Sequence, residues 1–269
     1  MHFNSSCSFT ALAMLLEEKG IDTEDTEIAL EMGLPWLFAE KEGAFLSGPM
    51  LQGNEWFKIF LYPRGYRLCE EDVAREDLPE YLRIRKMSML GMKVPGENGK
   101  HAVVFAGFDG SYSFLNPTHE GSGRETEFSL SEEELVAAVP ERIMVGHLED
   151  REKEFVDTKS LMEASVTAIR RNVTAITEFA GKPHSGEEYK EAMDTLFRAI
   201  LLDGITMLEL AGETALAGEF KELQKELLTF MRGDKSGLLS ATLSISRLEE
   251  PANRYMMLIR EHIGTGGLS

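Results

Sequence analysis

The chain has 269 residues, with 28 Lys and Arg against 46 Asp and Glu, a formal net charge of −18 and 43% hydrophobic residues. That apolar content supports a packed core and excludes wholesale disorder. The acidic balance excludes nucleic acid and anionic membrane surfaces as partners, because both are recognised by clustered Lys and Arg.

The first predicted element follows a cysteine. Residues 8 to 19, "SFTALAMLLEEK", place Phe9, Leu12, Ala13, Leu15 and Leu16 at helical spacing, and Gly20 stops the run. A second helix is predicted from Thr23 to Met32, capped by Thr23 and Asp25 with support from Glu27. "GLPWLFAEKEGAFLSGP" reads as a loop or hairpin with exposed-looking aromatics, of which Trp36 and Phe38 serve either a substrate pocket or ordinary packing. "NEWFKIFLYPRG" reads as a short helix ending before Pro63. The carboxylates of "EEDVARED" and "SEEEL" read as solvated helix faces.

Strand signals come next. "MSMLGMKV" (87–94) and "HAVVFAGF" (101–108) are short apolar runs of the buried-strand kind. Asp109-Gly110 is a hairpin turn, "SYSFLN" the returning strand, and "ETEFSL" (125–130) a third. Ser131 then caps a helix, with Glu134 at the capping-box position. "REKE" at 151–154 reads as a linker. Helical patterns follow at 157–180, 185–212, 213–232 and 236–263, broken by glycines and Pro183. The expectation is an α+β chain: helices then an antiparallel sheet over residues 1–149, followed by an all-α helical bundle over 154–269.

Two cysteines, Cys7 and Cys69, make neither a disulfide framework nor a zinc pattern, so no metal and no cofactor are expected. No basic segment leads into a signal-type apolar run, and no apolar stretch reaches the roughly 20 residues of a membrane span. A cytoplasmic location without membrane association is therefore expected.

Three residues carry chemistry. Cys7 directly precedes a helix, whose free N–H groups and dipole favour a thiolate; the alternative is a small buried hydrophobe. His101 opens a strand, where a partner from elsewhere in the fold can reach it. Asn116 ends the strand returning from the Asp109-Gly110 turn. Counted out from that turn, His101 and Asn116 fall at the same open end of the hairpin, within a few residues. An Asn carbonyl there can hold the imidazole in one orientation, as a Cys–His pair needs. Cys69, beside acids, reads as structural. His2 is either a rival base or a loose terminal residue. His119 and Glu120 are either cleft residues or exposed turn residues.

The order Cys on a first helix, His at a strand start, Asn at the end of the next strand resembles the papain-like superfamily in its compact bacterial form, over residues 1 to about 145. "CSFTALAMLLEEKG" and "KHAVVFAGFDGSYSFLNPT" resemble the double-glycine bacteriocin-processing peptidases. "IDTEDTEIALEMGLPWLF" resembles the butirosin biosynthesis protein H family of acyltransferases, which also carries a helical C-terminal part. The resemblance implies a papain-like N-terminal domain with Cys7 as nucleophile, His101 as general base and acid, and Asn116 as orienting group. The family's oxyanion glutamine position falls at Met1, so Asn4 with the Cys7 N–H is the expected oxyanion pair. The small glycine after the family's cysteine is Ser8 here, and many compact relatives have Asp where this chain has Asn116.

The function expected first is a thiol hydrolase, a peptidase or amidase forming an acyl-enzyme on Cys7. An acyltransferase using the same triad is the alternative within that chemistry, and a non-catalytic binding protein on the same scaffold the alternative outside it. The expected partner is a peptide, an amide or a carrier-bound acyl group, with the bundle offering a surface for a homodimer.

Overall fold

The computed structural model describes residues 2–3, 6–85, 87–96, 99–118, 126–233, 239 and 245–264. The chain forms two compact units, Met1–Ile28 with Gln52–Val156, and Ala29–Leu51 with Asp157–Ser269. Residues 29–51, expected within the N-terminal domain, belong to the second unit.

The first unit opens with α1 (Ser8–Glu18), which buries Phe9, Leu12, Leu15 and Leu16 on one stripe. α2 (Asp25–Glu31) follows, its last three residues counted with the second unit, and α3 (Asn54–Leu61) ends in a 3₁₀ turn that carries Pro63, where a proline cannot continue the helix. The strands are β3 (Tyr66–Ala74), β4 (Ser88–Lys93), β5 (Lys100–Phe108), β6 (Tyr112–Leu115), β7 (Glu127–Leu130) and β8 (Arg142–Asp150). They form one sheet in the order β3-β8-β4-β5-β6-β7, with every pair antiparallel. α4 (Leu78–Ile84) and α5 (Glu132–Ala138) lie on one sheet face, where Leu78, Leu82 and Leu135 pack with Leu90, Val103, Phe105 and Phe114. The residues of α1 are not part of that cluster, although α1 packs on β5, β4 and β8; α1 covers the other face, towards which Val104 alternates. The Ser131–Glu134 capping box is present as expected.

Two strands correct the sequence reading. β3 runs through "YRLCEEDVA", whose acids were expected on a helix face, and β8 takes up residues 142–150, which carried no strand expectation. The reason is their charge. Ion pairs Arg67–Glu149 and Arg142–Asp72 cross between the two strands, and the buried Leu68 and Val73 of β3 stand five residues apart, so neither face shows a clean period of two.

The second unit contains the hairpin β1 (Phe38–Lys41) and β2 (Ala44–Ser47), turned by Glu42 and Gly43 with φ of 52° and 81°. Both residues left-handed is the geometry that suits a two-residue hairpin turn. Its aromatics are not exposed: Phe38 and Phe45 are buried and pack together. The helices are α6 (Thr158–Ala180), α7 (Gly186–Ala192), α8 (Gly204–Leu210), α9 (Thr214–Arg232) and α10 (Ile245–Gly264). The helix expected over 185–212 is continuous from Gly186 to Leu210, as α7, two π-helical turns at Met193–Phe197 and Ala199–Asp203, and α8, with helical backbone angles at each junction. The elements described after residue 154 are all helices, as expected of that stretch; the hairpin enters the second unit with residues 29–51.

Candidate active site

Cys7 is the N-cap residue of α1, and its carbonyl accepts the first helical hydrogen bond, from Ala11 N at 3.0 Å. The Ser8 N–H donates to the Ser6 hydroxyl at 3.3 Å. The first-turn N–H groups of an α-helix point along its axis towards the N-terminal end. The first turn carries no acidic residue to oppose an anion there. The side chain is half-buried, and its Sγ accepts a hydrogen bond from the Ala102 N–H at 3.0 Å.

Ala102 lies on β5 one residue after His101. Opposite His101 on β4 stands Met92. On the other side, β6 pairs with β5 from Val104↔Leu115 outward, so the Ala102 N–H is beyond the last paired residue and the cysteine sulfur takes it up. The end of β6 is what opens this position.

Continuing the Val104↔Leu115 register places Asn116 opposite Val103, two residues from His101. His101, Val103 and Phe105 share a face with Phe114 and Asn116, because alternate strand residues do. His101 and Asn116 are thus diagonal neighbours, at a separation of about 7 Å between α-carbons. The Asn116 side chain is buried at 1% exposure, and its backbone N–H donates to the Thr126 carbonyl at 2.7 Å. A bulge between Phe105 and Gly107 shifts the hairpin by one residue, which is the offset that simple counting from the turn left open.

Asn4, His119 and Glu120 lie outside the described residues. His2 is held: its backbone N–H and ring Nδ1 approach the Asp25 carboxylate at 2.7 and 2.5 Å. The Thr10 hydroxyl donates to the same carboxylate at 2.9 Å. Burial pushes the Asp25 carboxyl up, and the donors from His2 and Thr10 outweigh it, leaving the group below its ordinary value.

Gln52 escaped the sequence reading. Its Oε1 accepts from the Ser6 hydroxyl at 2.7 Å, which sets a primary amide beside the residue preceding Cys7. Its side chain is exposed. No sequence signal marks it, because it stands 45 positions from Cys7 and only the tertiary fold closes that gap.

The arrangement offers a sulfur at a helix N-terminus with a backbone donor on it from the residue after His101, the Gln52 amide on Ser6, and Asn116 diagonal to His101, while strand alternation sets His101 on the Met92 face of the sheet, opposite to the face that α1 covers. No protein-family model matches the chain, and no curated protein matches it.

Proposed function

We propose that the first unit is a thiol hydrolase with a papain-like core, acting on an amide or a related acyl group. The observation that carries the proposal is the Cys7 sulfur, at the start of α1, accepting the N–H of Ala102, the residue after His101, at 3.0 Å; catalysis requires the His101 ring to reach that sulfur around the open end of β5. In this reading His101 takes the Cys7 proton and the thiolate attacks the carbonyl carbon. The tetrahedral oxyanion collapses, expelling the amine, which leaves with the proton from His101. Water, activated by the same imidazole, then hydrolyses the Cys7 thioester and restores the thiol. Asn116 orients the imidazole. The Gln52 amide joins the Cys7 N–H as oxyanion donor, a role first expected of Asn4.

Two readouts test it. Iodoacetamide at neutral pH is expected to label Cys7 well before Cys69, whose thiol burial and the Glu149 carboxylate hold above its ordinary pKa. A p-nitrophenyl ester is expected to release nitrophenolate with transient acylation of Cys7, slowed about 10²–10⁴-fold in His101→Ala and lost in Cys7→Ser. Equal labelling of the two cysteines, or an unaffected His101→Ala, would sink the proposal.

A further inference from the structure

On the same sheet face, away from His101, β3 and β8 bring together three metal-ligating side chains. Cys69 pairs directly with His147 across the two strands, and Glu149 lies two residues along β8, hence on the same side. One ligand atom from each lies within 4.8 Å of the other two.

The imidazole at the centre is badly served by its protein neighbours. His147 is 6% exposed. Its Nε2 faces an Arg85 N–H donor at 3.2 Å and a Glu149 Oε1 acceptor at 3.2 Å. A neutral ring satisfies one of these and opposes the other, whichever nitrogen carries the proton. Its Nδ1 is buried with no hydrogen-bond partner among the described residues. The mismatch at Nε2, the nitrogen that faces Glu149, is costly unless a cation takes the place of the opposing donor there.

We propose that Cys69, His147 and Glu149 bind one divalent, thiophilic cation, with Zn²⁺ the ion whose chemistry fits best. A thiolate, an imidazole nitrogen and a carboxylate oxygen make a borderline-soft donor set, and three protein ligands leave a fourth position for water. On binding, Cys69 gives its proton to solvent and a metal–sulfur bond replaces it. The cation displaces the Arg85 guanidinium from Nε2. Arg85 keeps a partner, because its other nitrogen holds the Glu71 carboxylate at 2.7 Å. Arg67 meets only Oε2 of Glu149, at 3.1 and 2.7 Å, so Oε1 stays available while the carboxylate is fixed in orientation. Cys69 and Glu149 are partly exposed, which gives the ion a way in. The site is independent of the reaction proposed for Cys7. The sequence reading excluded metal because neither cysteine has a second one nearby; the other two ligands come from a strand that carried no expectation.

The test uses the full chain, stripped with chelator and titrated with Co²⁺. One equivalent is expected to give a thiolate-to-cobalt band in the near ultraviolet and tetrahedral visible bands, displaced by Zn²⁺. Cys69→Ser should lose the thiolate band, Cys7→Ser should keep it, and Glu149→Gln should weaken binding at least tenfold. Because Cys69→Ser can disturb folding, wild-type protein supplies a second measurement. One equivalent of Zn²⁺ should slow alkylation of Cys69 at least tenfold and leave that of Cys7 unchanged. No cobalt band, a band that depends on Cys7, or unprotected Cys69 overturns the proposal.

Discussion

Asp25 gathers four donors, the His2 N–H and ring, the Thr10 hydroxyl and the Thr26 N–H, on one carboxylate whose side chain is 2% exposed. It ties the segment before Cys7, through His2, to Thr10 in the body of α1. Its carboxyl is held below the ordinary value in the folded chain. A depressed folded-state pKa means that the unfolded chain takes up the proton first as pH falls. The stabilisation is therefore whole above the ordinary carboxylate pKa of about 4 and is lost as pH drops through the lower, folded value. Asp25→Asn is expected to cost about 2 kcal/mol at pH 7, the scale of charge-assisted hydrogen bonds to a buried acceptor. Urea unfolding at pH 7 and pH 3 checks it: the gap between variant and wild type should narrow at the lower pH, and an unchanged gap refutes the account. At this scale the sequence was half legible. Cys7 stood out because the apolar spacing of α1 fixes where that helix begins. The partners of Asp25 and the proximity of Gln52 are tertiary, and no local pattern carries them.

The two π-helical turns of the second unit are an element with one residue that tests it. At Gly204 the N–H reaches back five residues to the Ala199 carbonyl, the π-helical bond, and the same oxygen accepts from the buried Ser47 hydroxyl. A β-carbon on Gly204 would stand 2.7 Å from that oxygen. The obstacle is backbone, so it cannot swing aside. In an ordinary helix Gly→Ala stabilises by about 0.5–1 kcal/mol. Here Gly204→Ala is expected to destabilise by about 1–3 kcal/mol, the overpacking range, and a thermal melt gives the sign directly. A higher melting temperature would mean an ordinary α-helix through 193–203. The apolar periodicity of 185–212 reads as one helix because a π turn adds a residue without interrupting the run of helix formers. The strands legible in the sequence were β4, β5, β6 and the edge strand β7, while β3 and β8 hide under cross-strand ion pairs.

For the molecule as a whole, the change in composition near residue 150 marks where the mostly helical part begins, and Asp157 caps α6 there by accepting the Ser160 N–H. A division drawn at that point would still cut the second unit, because residues 29–51 are part of it. Within that unit the Phe38 N–H donates to the Ser165 hydroxyl at 2.9 Å, and the Tyr255 hydroxyl, on a fully buried ring, donates to the Pro35 carbonyl at 2.6 Å. Sequence patterns report neighbours along the chain, so a segment that packs with helices more than a hundred residues away leaves no local trace. The consequence is measurable. A fragment of residues 157–269 lacks the acceptor for Tyr255 and the apolar cover of Leu34, Leu37, Phe38 and Phe45, all buried in the intact unit. It is expected to keep helical circular dichroism, bind a hydrophobic dye and melt without a cooperative transition, as loosely packed states do. Joining residues 29–51 to it through a flexible Gly/Ser linker should restore a cooperative melt. If the bare fragment melts cooperatively with a native near-ultraviolet signal, the hairpin is dispensable and the helices fold as a bundle by themselves.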